Sequence, residues 1–516
     1  MRKANCLPRA ILFMAALVVS LSVGCGGGTA PEARNSLIIA HNAQPVSLDP
    51  SNANDGGSNL INSHIFDTLV FMPFIDGEFS ITPGLAESWE FLSPDSIRFN
   101  LRRGVRFHNG DLLRASDVQF SIERAIASPR VGFIVNAIRE VVIINDYEVI
   151  MNLHFPFAPI LSNLAHVGAS IVSERAVRES GDAFGLSRPI GTGPFKFSNW
   201  VHGVSVSLER FEDYWGPKPA FEQMEIRVIP DGSMRLIEVE TGNVDVALII
   251  LPPDVPLAER DPRVNMLREF SMEKTYIAFN HDREPFNNLY VRRAIIHAID
   301  REAIRANIWQ NTGQVSHGPI NDVVWGSINS QLPPYEFNIE LAREYMARAG
   351  LQDGFDAVFT INAANQSLLD MGEFIQAQLR QININLSVVA IEPGVLFDTL
   401  ARGEFDMFTL SWTTVTGDAD YGLFPLFHTS SIGTAGNRFR YRNPQVDALL
   451  DRGRSEVDPA IRLPIYAEVQ RIIRDDAPWV FVLQNEHLVA STASVQGLSL
   501  SPLGTSQHTF RNITFR

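Results

Sequence analysis

Cysteine is nearly absent from this chain of 516 residues: there are two, Cys6 and Cys25, both close to the N-terminus. Two cysteines build neither a zinc ribbon nor a disulfide framework. Positive charge is also in deficit, with 43 Lys and Arg against 58 Asp and Glu, a net charge of −15. That balance excludes a nucleic-acid surface, because neutralising phosphates needs a basic one. The share of apolar residues, 45%, is ordinary for a globular protein and excludes both wholesale disorder and a polytopic membrane protein. No internal repeat of solenoid length is present. The 12 histidines are scattered with no i, i+4 pair, so no preformed metal site with ligand spacing is visible. Gly-x-Ser-x-Gly, His-Glu-x-x-His and the Ser-x-x-Lys with Lys-Thr-Gly set are missing, which removes the commonest hydrolase signatures. A glycosidase carboxylate pair leaves no such signature, so a secreted hydrolase remains the rival class at this point.

What is present begins at the N-terminus. Arg2, Lys3 and Arg9 precede an apolar run, Ala10 to Val23, of about 14 residues, the pattern of a secretory signal peptide and too short to span a membrane. The run ends at Gly24-Cys25-Gly26-Gly27-Gly28, which resembles the lipobox of bacterial lipoproteins. That resemblance implies cleavage after residue 24, lipid on Cys25 and a tether over 25–35. The pattern's usual Leu, Val or Ile three places before the cysteine is Ser22 here, with Leu21 one place further back. Loss of residues 1–24 removes three positive charges and leaves about −18.

The remaining length suits about three domains. Ile97, Phe99 and Leu101 alternate with Arg98, Asn100 and Arg102, predicting a half-buried strand between turn signals at Ser93-Pro94-Asp95 and Asn109-Gly110. Val118, Ser121, Ile122, Ala125 and Ile126 share one face of a predicted helix. A second helix runs over Val291–Ile299 with His297 on its apolar face as a core histidine, and Asp300 caps the next helix from Arg301. Helical patterns also occupy 443–450 and 465–473, and Trp479–Leu483 reads as a buried strand. The fold class is therefore mixed α/β, with no clean linker between modules.

Five segments in order resemble the bacterial extracellular solute-binding proteins of family 5, the peptide- and nickel-type receptors of ABC importers. They are Pro83–Glu90; Leu101–Gly110 continuing through Ala115–Arg124; Gly191-Thr192-Gly193-Pro194-Phe195 with Tyr214-Trp215-Gly216; Ala278-Phe279-Asn280 through Asp300-Arg301; and Gly403–Trp412 with Phe424–Phe427. Gly191-Thr192-Gly193 lacks the remaining residues of a phosphate loop and reads as a turn returning the chain to a sheet. His108 reads as a polar side chain beside a tight turn rather than a ligand. The family has Thr as helix cap where this chain has Arg114, a loss of about 1 kcal/mol, although Asp117 suits the first turn.

The resemblance implies a two-lobed fold of the periplasmic-binding-protein type with a hinge and an extra subdomain in the first lobe. The first lobe would comprise 36–70, 190–280 and 490–516, the extra subdomain 71–189 and the second lobe 281–489. Ligand capture would be a shift from open to closed lobes, followed by delivery to a membrane permease. The protein would be a lipid-anchored extracytoplasmic monomer, with no cofactor and no catalytic residue. A non-transport receptor on the same fold is the further alternative. In the family's peptide binders an aspartate three residues after the tryptophan equivalent to Trp412 pairs with the ligand ammonium, and here that position is Val415. Free-N-terminus peptides would then need Asp418, Asp420 or Asp55 as substitute, because a buried unpaired ammonium is costly. Trp412 is expected on the pocket wall, with Thr413, Thr414 and Thr416 offering hydroxyls to a sugar-like or blocked-peptide ligand. Asp55 and Ser58, in Asn54–Ser58, align with the first-lobe ligand loop. A peptide, a sugar-like solute or a metal chelate all remain compatible.

Overall fold

The computed structural model describes residues 35–433, 436–508 and 510–516. The apolar leader and Cys25 lie outside the described residues. Period-2 alternation makes the strands: in Ser96–Leu101, Ile97, Phe99 and Leu101 are buried and the residues between them are half-buried. This strand sits inside a four-stranded antiparallel sheet with Ala86–Ser93, Glu148–Leu153 and Ile138–Asn145. The helix Ala115–Ile126 covers it through Val118, Ile122 and Ala125, and these elements share one core running from Leu69 to Ile171. Arg114 provides no side-chain cap to that helix. Instead Asp117 accepts from the backbone N–H of Arg114 at 2.9 Å and of Glu174 at 3.0 Å, so its carboxylate serves the cap and an incoming helix together.

An eleven-stranded mixed sheet organises the rest of the described residues. Its order is Phe195–Val201, Ser205–Arg210, Gln223–Val228, Ser36–His41, Val246–Ala247, Trp479–Thr492, Val264–Phe279, Met407–Thr413, Phe355–Asn362 and Ile384–Ile391, with Gln314–Val315 paired onto Trp479–Thr492. Ser36–His41 lies parallel to Gln223–Val228, and Phe355–Asn362 parallel to both of its neighbours. Two long antiparallel strands, Val264–Phe279 and Trp479–Thr492, join the two ends of this sheet.

Their ladder is broken in the middle. Val264–Phe270 pairs with Glu486–Thr492 and Lys274–Ala278 with Trp479–Gln484, and the register shifts between Phe270 and Lys274. Irregularity of this kind bends a strand and re-aims its side chains. Beyond the break, Trp479 is fully buried and stacks on Tyr276 with ring centroids 3.8 Å apart, anchoring that half in the largest core. Burial of two such rings dominates the local packing. The half before the break packs against a separate core that includes Ala40, Leu236 and Ala490.

The predicted helices appear as Leu289–Ala298, Arg301–Asn307, Pro444–Ser455 and Pro459–Asp476. Asp300 accepts from Ala303 N–H at 2.9 Å, and His297 is buried with Nδ1 2.7 Å from Glu336 O. Gly191-Thr192-Gly193 precedes the strand Phe195–Val201. A Cβ on Gly191 would stand 2.0 Å from Ile65 O, so only glycine lets these backbones meet. His108 closes the same junction: its backbone N–H donates to Gly191 O at 2.9 Å and its Nε2 lies 3.0 Å from Gly193 O.

Candidate functional site

The break between the two long strands opens into a cleft of about 1240 Å³. Its walls come from chain segments at both ends of the large sheet, including Asn54–Gly56, Asp231–Gly232, Asn365–Leu368 and Gly504–Thr505, and from Ser162 and Ala165–Val167. At the floor, alternation sends Ser271, Glu273 and Thr275 into the cleft while Met272 and Lys274 are buried behind. Asn485 faces them from the partner strand. Its amide donates to Glu273 Oε1, its Oδ1 accepts from Thr275 Oγ1 at 3.1 Å, and Thr275 Oγ1 lies 3.1 Å from Ser411 Oγ. Burial raises the Glu273 carboxyl above its ordinary range, with the Asn485 amide and the hydroxyls of Ser411 and Thr413 offsetting part of that rise. Lys274 points the other way, donating to Ser316 Oγ and Gly318 O, so it does not neutralise Glu273.

Three of the expected site residues lie on this cleft: Asp55, Thr413 and Val415. Four do not, and each has a physical reason. Trp412 is one residue out of phase with Ser411 and Thr413, so its ring turns into the large core. It stacks on Tyr421 at 5.4 Å, and its Nε1 donates to Tyr421 O at 3.3 Å. Thr414 is buried, and its backbone N–H donates to Met272 O at 3.3 Å. Asp418 is buried, caps the helix Ala419–Phe427 through Asp420 N–H, and holds Arg462 by two hydrogen bonds of 2.6 and 2.7 Å. Ser58 is buried with Oγ accepting from the N–H groups of Val46 and Ser47, which ties the preceding loop to the helix Gly56–Ile65. Asp420 is likewise committed, with Arg454 at 3.3 Å and Tyr466 at 3.4 Å. Of the three substitutes for the missing ammonium partner, Asp55 alone reaches the cleft, and it caps its helix through Ser58 N–H at 2.9 Å.

Glu273, Asn485 and Ser411 escaped the reading of the sequence. The alternation in Ser271–Thr275 was a signal for a strand with a polar face, but nothing local says whether that face meets solvent or a cleft. Arg235 was missed for another reason. It lines the cleft yet spends its guanidinium on four backbone carbonyls, Leu248 at 2.9 Å, Ile229 at 2.8 Å, Pro230 at 3.0 Å and Ile249. His166, His487 and His508 also line the cleft, and burial lowers all three, His166 to about 4. They are neutral near pH 7. Among the described residues no group of three His, Cys, Asp or Glu side chains comes together to hold a metal.

Residues 80–434 match the family described as bacterial extracellular solute-binding proteins, family 5, middle. The chain belongs to that family. It is similar to heme-binding protein A of Haemophilus influenzae, with 28% identity over 501 residues covering 91% of each chain. It is also similar to the dipeptide-binding protein of Escherichia coli K12, with 26% identity over 510 residues covering 93% of this chain and 94% of the relative. Among solved structures, the ABC transporter-associated periplasmic binding protein DppA from Helicobacter pylori, in complex with the peptide STSA, superposes with a TM-score of 0.82. Its identity is 28%, over 94% of this chain and 98% of that one. The fold is therefore the two-lobed type of the periplasmic binding proteins. Members of the family are extracytoplasmic substrate-binding components of ABC importers and not enzymes, which removes the secreted-hydrolase alternative.

Proposed function

We propose that this family 5 protein captures a small peptide-like solute in the cleft at the strand break and delivers it to an ABC permease. In this reading the first lobe comprises 36–70, 190–280 and 490–516, the extra subdomain 71–189 and the second lobe 281–489. The hinge lies where the ladder of the two long strands is interrupted, near Ser271–Glu273 and Asn485. The cleft itself supports the reading: about 1240 Å³, walled from both ends of the sheet and floored by hydrogen-bonding side chains that leave room for a ligand of several residues. Asp55, Thr413 and Val415 contribute to its surface. Cys25 carries the lipid that keeps a monomeric receptor at the membrane.

Closure on a ligand is a population shift whose extent is set by the ligand's preference for the closed form. The test is native mass spectrometry of the protein purified from cells, paired with small-angle scattering before and after ligand is stripped by mild denaturation. A retained solute, and an increase in radius of gyration on stripping, are expected. A protein that retains nothing and shows no compaction with any fraction of growth-medium solutes refutes the reading.

A further inference from the structure

The charge in the cleft is one-sided. Among the described residues five carboxylates line it, those of Asp55, Asp231, Asp370, Glu273 and Glu486, against one cation, Arg235. The guanidinium of Arg235 is taken up by backbone carbonyls. Four of the five carboxylates have evident local duties. Asp55 and Asp231 cap helices, Asp370 accepts from Gln366 at 2.7 Å, and Glu486 pairs with Arg268 at 2.8 Å. Glu273 is different. It sits on the interrupted strand at the floor, half-buried where Asp231 and Asp370 are exposed, and among the described residues no Lys or Arg pairs with it. Its neighbours are neutral, the Asn485 amide and the hydroxyls of Ser411 and Thr413. A carboxylate in a half-buried site without a counter-charge is costly unless a cation arrives.

A second polar group borders the cleft. His508 lines the cleft at 4% exposure, and its Nδ1 accepts from the Ser501 N–H at 3.0 Å, which leaves the ring proton on Nε2. Among the described residues that Nε2 has no hydrogen-bond partner. A buried donor left unpaired calls for an acceptor, and the ring lies against His487, two residues along the strand from Asn485. Two residues of strand span about 7 Å, so His487 stands that far along the floor from Asn485, and Glu273 and His508 both border the one cleft.

We infer that the cleft selects a cationic solute whose primary ammonium is bound by Glu273, with Asn485, Ser411 and Thr413 completing its hydrogen bonds. The inference rests on the solute-binding reading above and fixes the ligand's charge. An ammonium at this point satisfies Glu273 by charge-assisted hydrogen bonds and matches its three donors to carboxylate and hydroxyl oxygens. It also accounts for a peptide-type receptor with Val415 where an aspartate would stand: the anion has moved to the neighbouring strand. Glu273 pairs in register with Thr413 and Thr275 with Ser411, so these side chains share one face of the ladder.

Isothermal titration of the full mature chain, stripped of retained solute, tests this with three probes: alanyl-alaninamide, its N-acetyl derivative and spermidine. The first carries an ammonium and carbonyls, the second the same skeleton without charge, and the third ammonium groups alone. Binding of an ammonium probe, weakened about 10- to 100-fold by Glu273→Gln, carries the inference; the probe that binds better says whether the ammonium belongs to a peptide-like or a polyamine solute. Thermal melting of Glu273→Gln without ligand confirms that the variant folds. The inference is overturned if the N-acetyl derivative binds as tightly as its parent, if neither ammonium probe binds, or if Glu273→Gln leaves their affinity unchanged. Native mass spectrometry separates this from failure of the receptor reading: a retained neutral solute sinks the charge assignment alone, whereas no retained solute and no compaction sink the receptor.

Discussion

Replacing Asp418 by alanine should destabilise the protein strongly and leave ligand affinity nearly unchanged. The magnitude follows from what the carboxylate does. It accepts two hydrogen bonds from Arg462, at 2.6 and 2.7 Å, in a site where both side chains are buried, and it caps the helix Ala419–Phe427 through Asp420 N–H at 2.8 Å. Removing one partner of a buried pair costs about 3–5 kcal/mol, because the other charge is left uncompensated. Here Arg462 retains the Gly453 carbonyl at 2.8 Å, the Tyr466 hydroxyl at 3.2 Å and the face of Trp325, with Asp420 nearby, so the lower end applies, about 3 kcal/mol. Loss of the cap adds about 1 kcal/mol. Asp418→Asn retains a cap acceptor and one acceptor for Arg462, and should lose roughly half as much as alanine. The double variant Asp418→Ala with Arg462→Leu removes the orphaned charge and should recover much of the loss. Urea unfolding followed by tryptophan fluorescence reads these differences, since Trp325 lies 4.6 Å from the guanidinium. Titration with the solute that the protein retains provides the control. If Asp418→Ala keeps its stability but loses binding, Asp418 belongs to the ligand site and the reasoning from Arg462 is wrong.

Other outcomes follow from the same physical arguments. Gly191→Ala places a Cβ 2.0 Å from Ile65 O, a rigid backbone atom, and should cost at least about 3 kcal/mol in urea unfolding; near-native stability would mean the junction is not close-packed. His64, His108 and His166 are all lowered by burial, to about 4, so the unfolded chain takes up protons first, near pH 6.5. Their stabilisation is therefore complete above pH 6.5 and lost as pH falls towards about 4. Urea midpoints between pH 7 and 4.5 should show that loss, and His108→Gln should reduce its slope. Glu273 has the opposite sign, since a carboxyl raised by burial gains stability as it protonates. Glu273→Gln should accordingly raise the ligand-free urea midpoint at pH 7, by an amount that shrinks as pH falls; an unchanged midpoint would mean that the carboxylate is well solvated. Cys25→Ser should shift the protein from the membrane fraction to the soluble extracytoplasmic fraction, and retention in the membrane pellet would count against the lipid anchor.

Much of the architecture was legible because local rules sufficed. Buried alternation in Ser96–Leu101, the apolar face of Ala115–Ile126 and the cap at Asp300 each depend on neighbours within a few residues, and all three appear where expected. The five family segments extended that reading to the two-lobed fold. The site was less legible because its membership depends on strand phase and on distant partners. Trp412 and Thr413 differ by one position, and a one-residue change of phase carries a side chain from cleft to core. Asp418 is polar, acidic and beside the expected site, yet Arg462, 44 residues away, takes it out of the cleft.

The sequence by itself determined the mixed α/β class, the family and the scarcity of cysteine and basic charge that excluded disulfide, zinc-ribbon and nucleic-acid readings. Those properties rest on composition, periodicity and short-range order. Only the tertiary structure decided which carboxylate stands on the cleft floor among neutral hydrogen-bonding side chains. The strand break at 271–273 turns Glu273 toward Asn485, more than 200 residues away in sequence, and no local pattern records that meeting.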